Sequence, residues 1–415
     1  MSGYKGAAVY LRILMLTQYF PPESGAAQVR LKELAKGLQR NGHVVTVVTA
    51  FPNHPTGVIP PEYRGRWRMK DEVDGIPVWR TWIYPVQRGR FWKRLLNYFS
   101  FVFSSFWGLN KAGQQDILFF ESPPLFLGIT ALVCGWFSQT RIIMNISDLW
   151  PESAVALGLV NSQWMIRAAE GLEKLLYRKA WKISCQTEGI RSSLIQRGVP
   201  EQKVTFLPNG VNLDLFAPRE RDGEMARKLG IQAEDFVLIY AGTMGYAQGL
   251  ESVIQTAEIL REQSDIRFLF VGDGTEKPML EALVKEKGLS NVSFVDFRPV
   301  QEMPGYFSLS SASIVPLKKN KLFEGARPSK MFPALGSAVP VIYSGEGEAA
   351  ELVLASGGGV VVEPENSEAL ARAILELKEN PNRREMGRKG RQFVEQHYTW
   401  SQIILCWLED LDLAE

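Results

Sequence analysis

Short apolar runs alternate with amphipathic stretches along nearly the whole chain. The run ILMLT at 13–17 reads as a buried strand. Residues 24–42 then place Val29, Leu31, Leu34, Ala35 and Leu38 at helical spacing, and the pattern stops at Gly42. HVVTVVT at 43–49 is the next strand. VWRTWIY (78–84), DILFFE (116–121), RIIMNI (141–146) and KISCQ (182–186) follow, with helical patterns between most of them. This alternation predicts an α/β chain with a parallel, doubly wound sheet.

The pattern then restarts. TFLPNGVNLDLFAP (205–218) is turn-rich and leads into the polar run RERDGE (219–224), which reads as a hinge. After it come FVLIYAG (236–242), RFLFVG (267–272), VSFVD (292–296), SIVPL (313–317), VPVIY (339–343) and GVVVE (359–363). The expected organisation is therefore two Rossmann-like domains, at 12–205 and 206–385. A disordered leader is expected over 1–11. The helical segment at 386–415 either closes the second domain or crosses back to the first.

Bulk properties remove several function classes. A formal net charge of +2 over 415 residues is too small for a general polyanion binder. Cys134, Cys185 and Cys406 are isolated and only three histidines occur, so reduced thiols are expected rather than a disulfide frame or metal site. The longest apolar stretch, 91–109, is broken by Lys93, Arg94 and Asn97 and is not read as membrane-spanning. Before and within it, Arg64, Arg66, Arg68, Lys70, Arg80, Arg88, Arg90, Lys93 and Arg94 face only four acids over 62–94 and interleave with tryptophans. Such a stretch suits either an anionic membrane face or a buried helix with snorkelling cations. No nucleic-acid recognition motif accompanies it.

In open parallel sheets ligands bind beyond the carboxyl ends of strands. After the first strand, two prolines precede Ser24 and Gly25 at a helix start, where backbone N–H groups are open to a ligand or simply capped. Gly242, Gly245 and Gly249 lie between a strand and a helix, as a phosphate-cradling turn would. Their spacing is neither G-x-G-x-x-G nor a P-loop. Arg327 and Lys330, in RPSK, stand at a helix start after another strand, where a diphosphate would find two cations and a helix dipole. Asp148, next to Trp150 and Pro151, offers a carboxylate, an aromatic platform and a rigid turn, or only a helix cap.

Taken in order, LTQYFPPESGAA, NGHVVTVVT, SDLWPES, FLPNGVNLDLF, YAGTMGYAQGLE, VGDGTEK and RPSKMFPALGSAVPVI resemble the glycosyltransferase family 4 enzymes of bacterial cell-surface polysaccharide synthesis. The nearest resemblance is to the subgroup of colanic-acid and N-acetyl-fucosamine transferases. It implies the GT-B fold, two Rossmann-like domains facing across a cleft. It also implies retaining transfer of a hexosyl or N-acetylaminosugar unit from a nucleotide-diphosphate sugar, UDP-linked by preference, without cofactor or metal. The acceptor would be a lipid-linked glycan, and the enzyme cytoplasmic and peripheral at the inner membrane face. The implied catalytic residues are Asp148, Lys330 and Arg327. The donor would lie on Gly25, Gly242, Thr243, Gln248, Gly249, Arg298, Glu324 and Ser329, and the acceptor near Ser24, Trp150 and Glu152.

The sequence departs from the family pattern twice. Many members carry an Arg and a Lys in the glycine turn, where this chain has Thr243, Met244 and Gln248. Many also place a ribose-binding Glu where Pro333 stands here. These departures keep a non-catalytic partner subunit with a degraded donor site open as an alternative. A nucleotide-sugar epimerase of the same fold is a second alternative, resting on Asp148 and Glu152. A Rossmann oxidoreductase is disfavoured by the missing glycine fingerprint.

Overall fold

The computed structural model describes residues 10–23, 25–53, 57–86, 91–156 and 162–411. Most of the expected leader, together with Ser24, Arg88 and Arg90, lies outside the described residues. The chain divides into two compact units, Met1–Pro208 with Trp400–Glu415, and Asn209–Thr399.

The first unit holds β1 (Arg12–Leu16), β2 (Val44–Ala50), β3 (Arg68–Val73), β4 (Ile76–Thr81), β5 (Ile117–Ser122), β6 (Arg141–Ile146), β7 (Lys182–Cys185) and β8 (Val204–Phe206). Their order is β3-β4-β2-β1-β5-β6-β7-β8. β1 lies at the centre, with Ile13 opposite Val45 on one side and Ile117 on the other. All pairs are parallel except β3–β4. β3, of sequence RMKDEV, forms a hairpin through Asp74 and Gly75, both at positive φ, the two-residue turn that suits twisted strands. Lys32 and Lys36 hold the Asp74 carboxylate at 2.7 and 2.6 Å and push its pKa down to about 2. A charged, exposed edge strand also discourages pairing with other chains.

The helix Phe91–Ala112 turns Phe101, Val102 and Leu109 into the core. Gly108 lets it approach closely: a Cβ there would lie 2.6 Å from Val48 Cγ1. The helix Trp400–Asp410 also packs on this unit. Its Trp407 is 1% exposed, meets Phe119 edge-on at 5.8 Å and donates its indole N–H to Ser184 Oγ at 2.8 Å.

The second unit holds β9 (Phe236–Ala241), β10 (Ile266–Val271), β11 (Val292–Val295), β12 (Ala312–Pro316), β13 (Val341–Ser344) and β14 (Gly359–Val362), all parallel, ordered β11-β10-β9-β12-β13-β14. Two apolar cores cover its two faces, one built on Val237, Ile239 and Val315, the other on Leu238, Tyr240 and Ile314.

Trp407→Ala is expected to destabilise the first unit by about 3–5 kcal/mol, the usual cost of emptying a buried aromatic site. Urea denaturation followed by far-UV circular dichroism checks this. An unchanged midpoint would mean that the last helix contributes nothing to the fold.

Candidate functional site

A doubly wound sheet leaves a crevice where the winding reverses, because the connections on either side lead to opposite faces. In the second unit that point lies between β9 and β12. The loop after β9 is the glycine turn; the segment after β12 runs through Lys318 to Lys330. Most of the sequence-derived donor residues therefore fall on the two connections that flank one switch point, with Arg298 apart from them and Gly25 in the first unit.

The turn is shaped by backbone crowding. A Cβ on Gly272, at the end of β10, would lie 2.0 Å from the Gly242 carbonyl oxygen; one on Gly274 would lie 2.1 Å from that of Met244. Gly242 and Gly249 have φ of 142° and 60°, conformations that side chains resist. Met244 is fully buried, so it anchors the turn and offers nothing to a ligand.

Lys330 stands immediately before the helix Met331–Gly336 and reaches across to this turn. Its Nζ donates to Tyr240 Oη at 2.7 Å and to Gln248 Oε1 at 2.5 Å, and sits 4.4 Å above the Tyr240 ring. Tyr240 in turn donates to the Thr243 carbonyl. No carboxylate lies within 4.0 Å of Lys330 Nζ among the described residues. The residue is half-buried overall, and the protein supplies both hydrogen-bond partners of its ammonium. Desolvation lowers its pKa to about 7. This is an ammonium held by neutral dipoles alone.

Arg327 was expected to share that role, and the structure corrects this. Its Nε pairs with Glu348 at 2.5 Å, both side chains being nearly buried, and its guanidinium donates to Tyr398 Oη at 3.3 Å. Its charge is already balanced within the unit. The helix-dipole argument weakens as well, since Met331–Gly336 is only six residues long. Pro333, at the third helical position, costs that helix little, because a first-turn N–H has no intrahelical acceptor.

The remaining donor-side expectations separate. Thr243, Gln248 and Gly249 lie on the turn itself. Ser329 adjoins Lys330, and its carbonyl accepts from Phe332 N–H. Glu324 ends the short helix Lys321–Glu324 and is exposed, its backbone overlaid by Gly347, where a Cβ would come within 2.1 Å of the Glu324 carbonyl oxygen. Arg298 is exposed beyond β11, with Glu302 4.0 Å away.

The first unit reverses its winding between β1 and β5. Gly25 precedes the helix Ala26–Arg40, and Gln28 folds back so that a Cβ on Gly25 would lie 2.5 Å from its Oε1. Near it is a buried polar cluster that the sequence reading missed. Arg30 pairs with Glu121 at 2.5 Å, and Asn145 donates to the other Glu121 oxygen at 2.6 Å. Only the polar ends of two otherwise apolar strands, Glu121 and Asn145, could have signalled it. Asp148, just beyond β6, is solvent-exposed. The protein around it nonetheless raises its pKa by desolvation, against hydrogen bonds from the Ser153 side chain and the Leu149 backbone.

Two acceptor-side expectations need correction. Trp150 is not an open platform: it is partly buried and meets Phe126 edge-on at 5.4 Å. Glu152 is engaged by Arg197, which also contacts Glu173 at 3.3 Å. Ser24 lies outside the described residues.

Comparison with known proteins bears on this arrangement. Residues 25–210 match the family described as glycosyl transferase 4-like domain, and residues 222–393 match glycosyl transferases group 1. Escherichia coli K12 WcaI, provisionally assigned as a colanic acid biosynthesis glycosyl transferase, is 28% identical over 88% of this chain and 91% of its own. An uncharacterised glycosyltransferase of Methanocaldococcus jannaschii is 22% identical over 95% of this chain and 96% of its own. Among solved structures, Anabaena HepE in complex with UDP and glucose superposes with a TM-score of 0.73 at 18% identity, covering 97% of this chain and all of its own. Sucrose-phosphate synthase from Thermosynechococcus elongatus gives 0.73 at 19% identity, covering 95% and 96%. With both domains in this order along most of its length, the chain belongs to glycosyltransferase family 4 and has the GT-B fold.

Proposed function

We propose that this glycosyltransferase moves a hexosyl or N-acetylaminosugar unit, with retention, from a nucleotide-diphosphate sugar to a lipid-linked glycan in cell-surface polysaccharide synthesis. UDP is the favoured nucleotide. The observation that carries the reading is Lys330: an ammonium without a carboxylate, at a switch point, beside a glycine turn. Such a group gains most from an anion that enters its site. The anomeric carbon–oxygen bond to the diphosphate breaks, and the acceptor oxygen bonds to the same face. Its proton passes to the departing phosphate. Lys330 stabilises the charge that develops there, the work a metal does in other transferases. Asp148 is assigned to the reaction on the acceptor side.

A membrane-bound acceptor calls for a membrane-facing enzyme, and one helix supports that reading. On Phe91–Ala112, Trp92, Leu96, Phe99, Phe103 and Trp107 share one helical stripe, each between 37% and 64% exposed. Trp67 extends it, edge-on to Trp107 at 5.9 Å. Lys93 and Arg94 beside the stripe are exposed, as are Arg64, Arg66, Arg68 and Lys70. Aromatic residues flanked by cations suit the anionic inner face of a bilayer, with residues 62–109 in contact. No described helix is long and apolar enough to cross a membrane.

Three predictions separate these roles. Lys330→Ala should lower kcat/KM about 100-fold and abolish thermal stabilisation by nucleoside diphosphates (UDP, GDP, ADP and dTDP). Unchanged kinetics would remove the diphosphate assignment. Arg327→Met should instead destabilise the second unit by about 3 kcal/mol, by leaving the Glu348 carboxylate without its ion-pair partner, and Glu348→Leu in the same chain should recover much of that loss in urea denaturation. Phe103→Glu should weaken binding to phosphatidylglycerol-containing vesicles about tenfold in co-sedimentation; equal binding by the wild type and the variant would refute the membrane face.

A further inference from the structure

The glycine turn has no cation of its own, yet a cation occupies it. Lys330 Nζ hydrogen-bonds Gln248, a neutral side chain of that turn. The two residues are 82 positions apart in sequence and belong to different connections. Tyr240 fixes the geometry from below: its hydroxyl donates to the turn carbonyl of Thr243, which leaves its lone pairs for the ammonium. Gly242 leaves the approach open, since a Cβ there would already touch Lys330 Cε at 3.4 Å.

We propose that Lys330 is the cation of the glycine turn, delivered from the far side of the switch point, and that it takes up a proton when a nucleoside diphosphate binds. The inference deepens the donor-site reading above and rests on it. Its basis is the electrostatic isolation of the amine. β9 presents the neutral phenol of Tyr240. The turn presents the Gln248 amide and, at Tyr246, a ring already covered by Lys318, whose Nζ lies 3.5 Å from its centroid. Beyond β12, Lys319 is shared between Glu346 and Glu363. On the helix Glu348–Ser356, Glu348 is committed to Arg327. None of these carboxylates comes within 4.0 Å of Lys330 Nζ among the described residues. An amine with a pKa of about 7 is roughly half neutral at neutral pH, and an arriving dianion draws the proton on.

The sign follows from linkage. Below the free-state pKa the amine is already charged, so binding takes up no proton there. As pH rises above about 7 the empty site loses its proton while the occupied site keeps it. Affinity then falls by up to about tenfold per pH unit until the bound-state pKa is passed.

The test is calorimetric titration of the intact protein with UDP at about pH 8, where the terminal phosphate is fully ionised. Two buffers of different ionisation enthalpy report the protons exchanged. The expected result is uptake approaching one proton per UDP in the wild type. Lys330→Arg, a cation that cannot titrate here, should bind UDP with no uptake. Lys330→Ala should lose binding, and adding Gln248→Lys to it should restore binding by returning the cation to the turn. UDP binding in the wild type without proton uptake would overturn this inference and leave the donor site standing. No binding of UDP, GDP, ADP or dTDP would overturn both. Rescue that fails while circular dichroism shows the double variant folded would count against the relocated cation.

Discussion

Reversal of winding governs both units. A parallel sheet built outward in both directions from an inner strand opens a crevice at its carboxyl edge, because adjacent connections depart to opposite faces. In the second unit the reversal falls between β9 and β12, and the glycine turn and Lys330 stand on the two connections that flank it. The crowding that follows explains the glycines. Gly242 and Gly272 follow neighbouring strands, and the Gly242 carbonyl comes so close that position 272 has no room for a side chain, while Gly242 itself has a φ of 142° that side chains resist. The turn is thus set by sheet geometry before any ligand is considered.

The same geometry sorts two cations that look equivalent in sequence. Arg327 and Lys330 are three residues apart, but Arg327 meets Glu348 and Tyr398 while Lys330 meets only dipoles. A buried ion pair is costly to break and has little left to give a ligand. An ammonium solvated by a phenol and an amide has its strongest interaction still to make. Function and stability therefore divide between neighbours.

Much of this was legible beforehand, and the gaps have physical causes. Apart from the run read at 78–84, which overshoots the end of β4 by three residues, the apolar strands were placed to within a residue or two, because a strand buried on both faces is a nearly continuous apolar run. β3 and β8 were missed: RMKDEV is a polar edge strand made by its hairpin turn, and VTF is three residues long. The glycine turn and RPSK were found because their residue types are unusual at strand ends. Which cation was available could not be read, since that depends on Glu348 and Tyr398, 21 and 71 positions further along the chain from Arg327. Tyr240 was hidden inside the run FVLIYAG, where it reads as core. Trp150 was misjudged for the converse reason: its neighbour in the core, Phe126, comes from another connection.

Keeping Lys330 isolated has a consequence for the empty protein. The unfolded chain carries this amine near its ordinary pKa of 10.5, whereas the fold holds it near 7. Between those values the unfolded state binds more protons, so this residue makes stability rise with pH; below 7 the fold bears the full desolvation cost. A carboxylate near Lys330 would remove that cost and raise stability at neutral pH. It would also place a negative charge where the donor-site proposal puts the diphosphate. A Gln at 248 and a phenol at 240 avoid that conflict: they satisfy the hydrogen bonds of the ammonium without neutralising it. The strain is local and sits at the functional edge of the sheet, where folded proteins commonly tolerate it. On the donor-site reading proposed above, anion binding would relieve it, and a nucleotide would then stabilise the second unit.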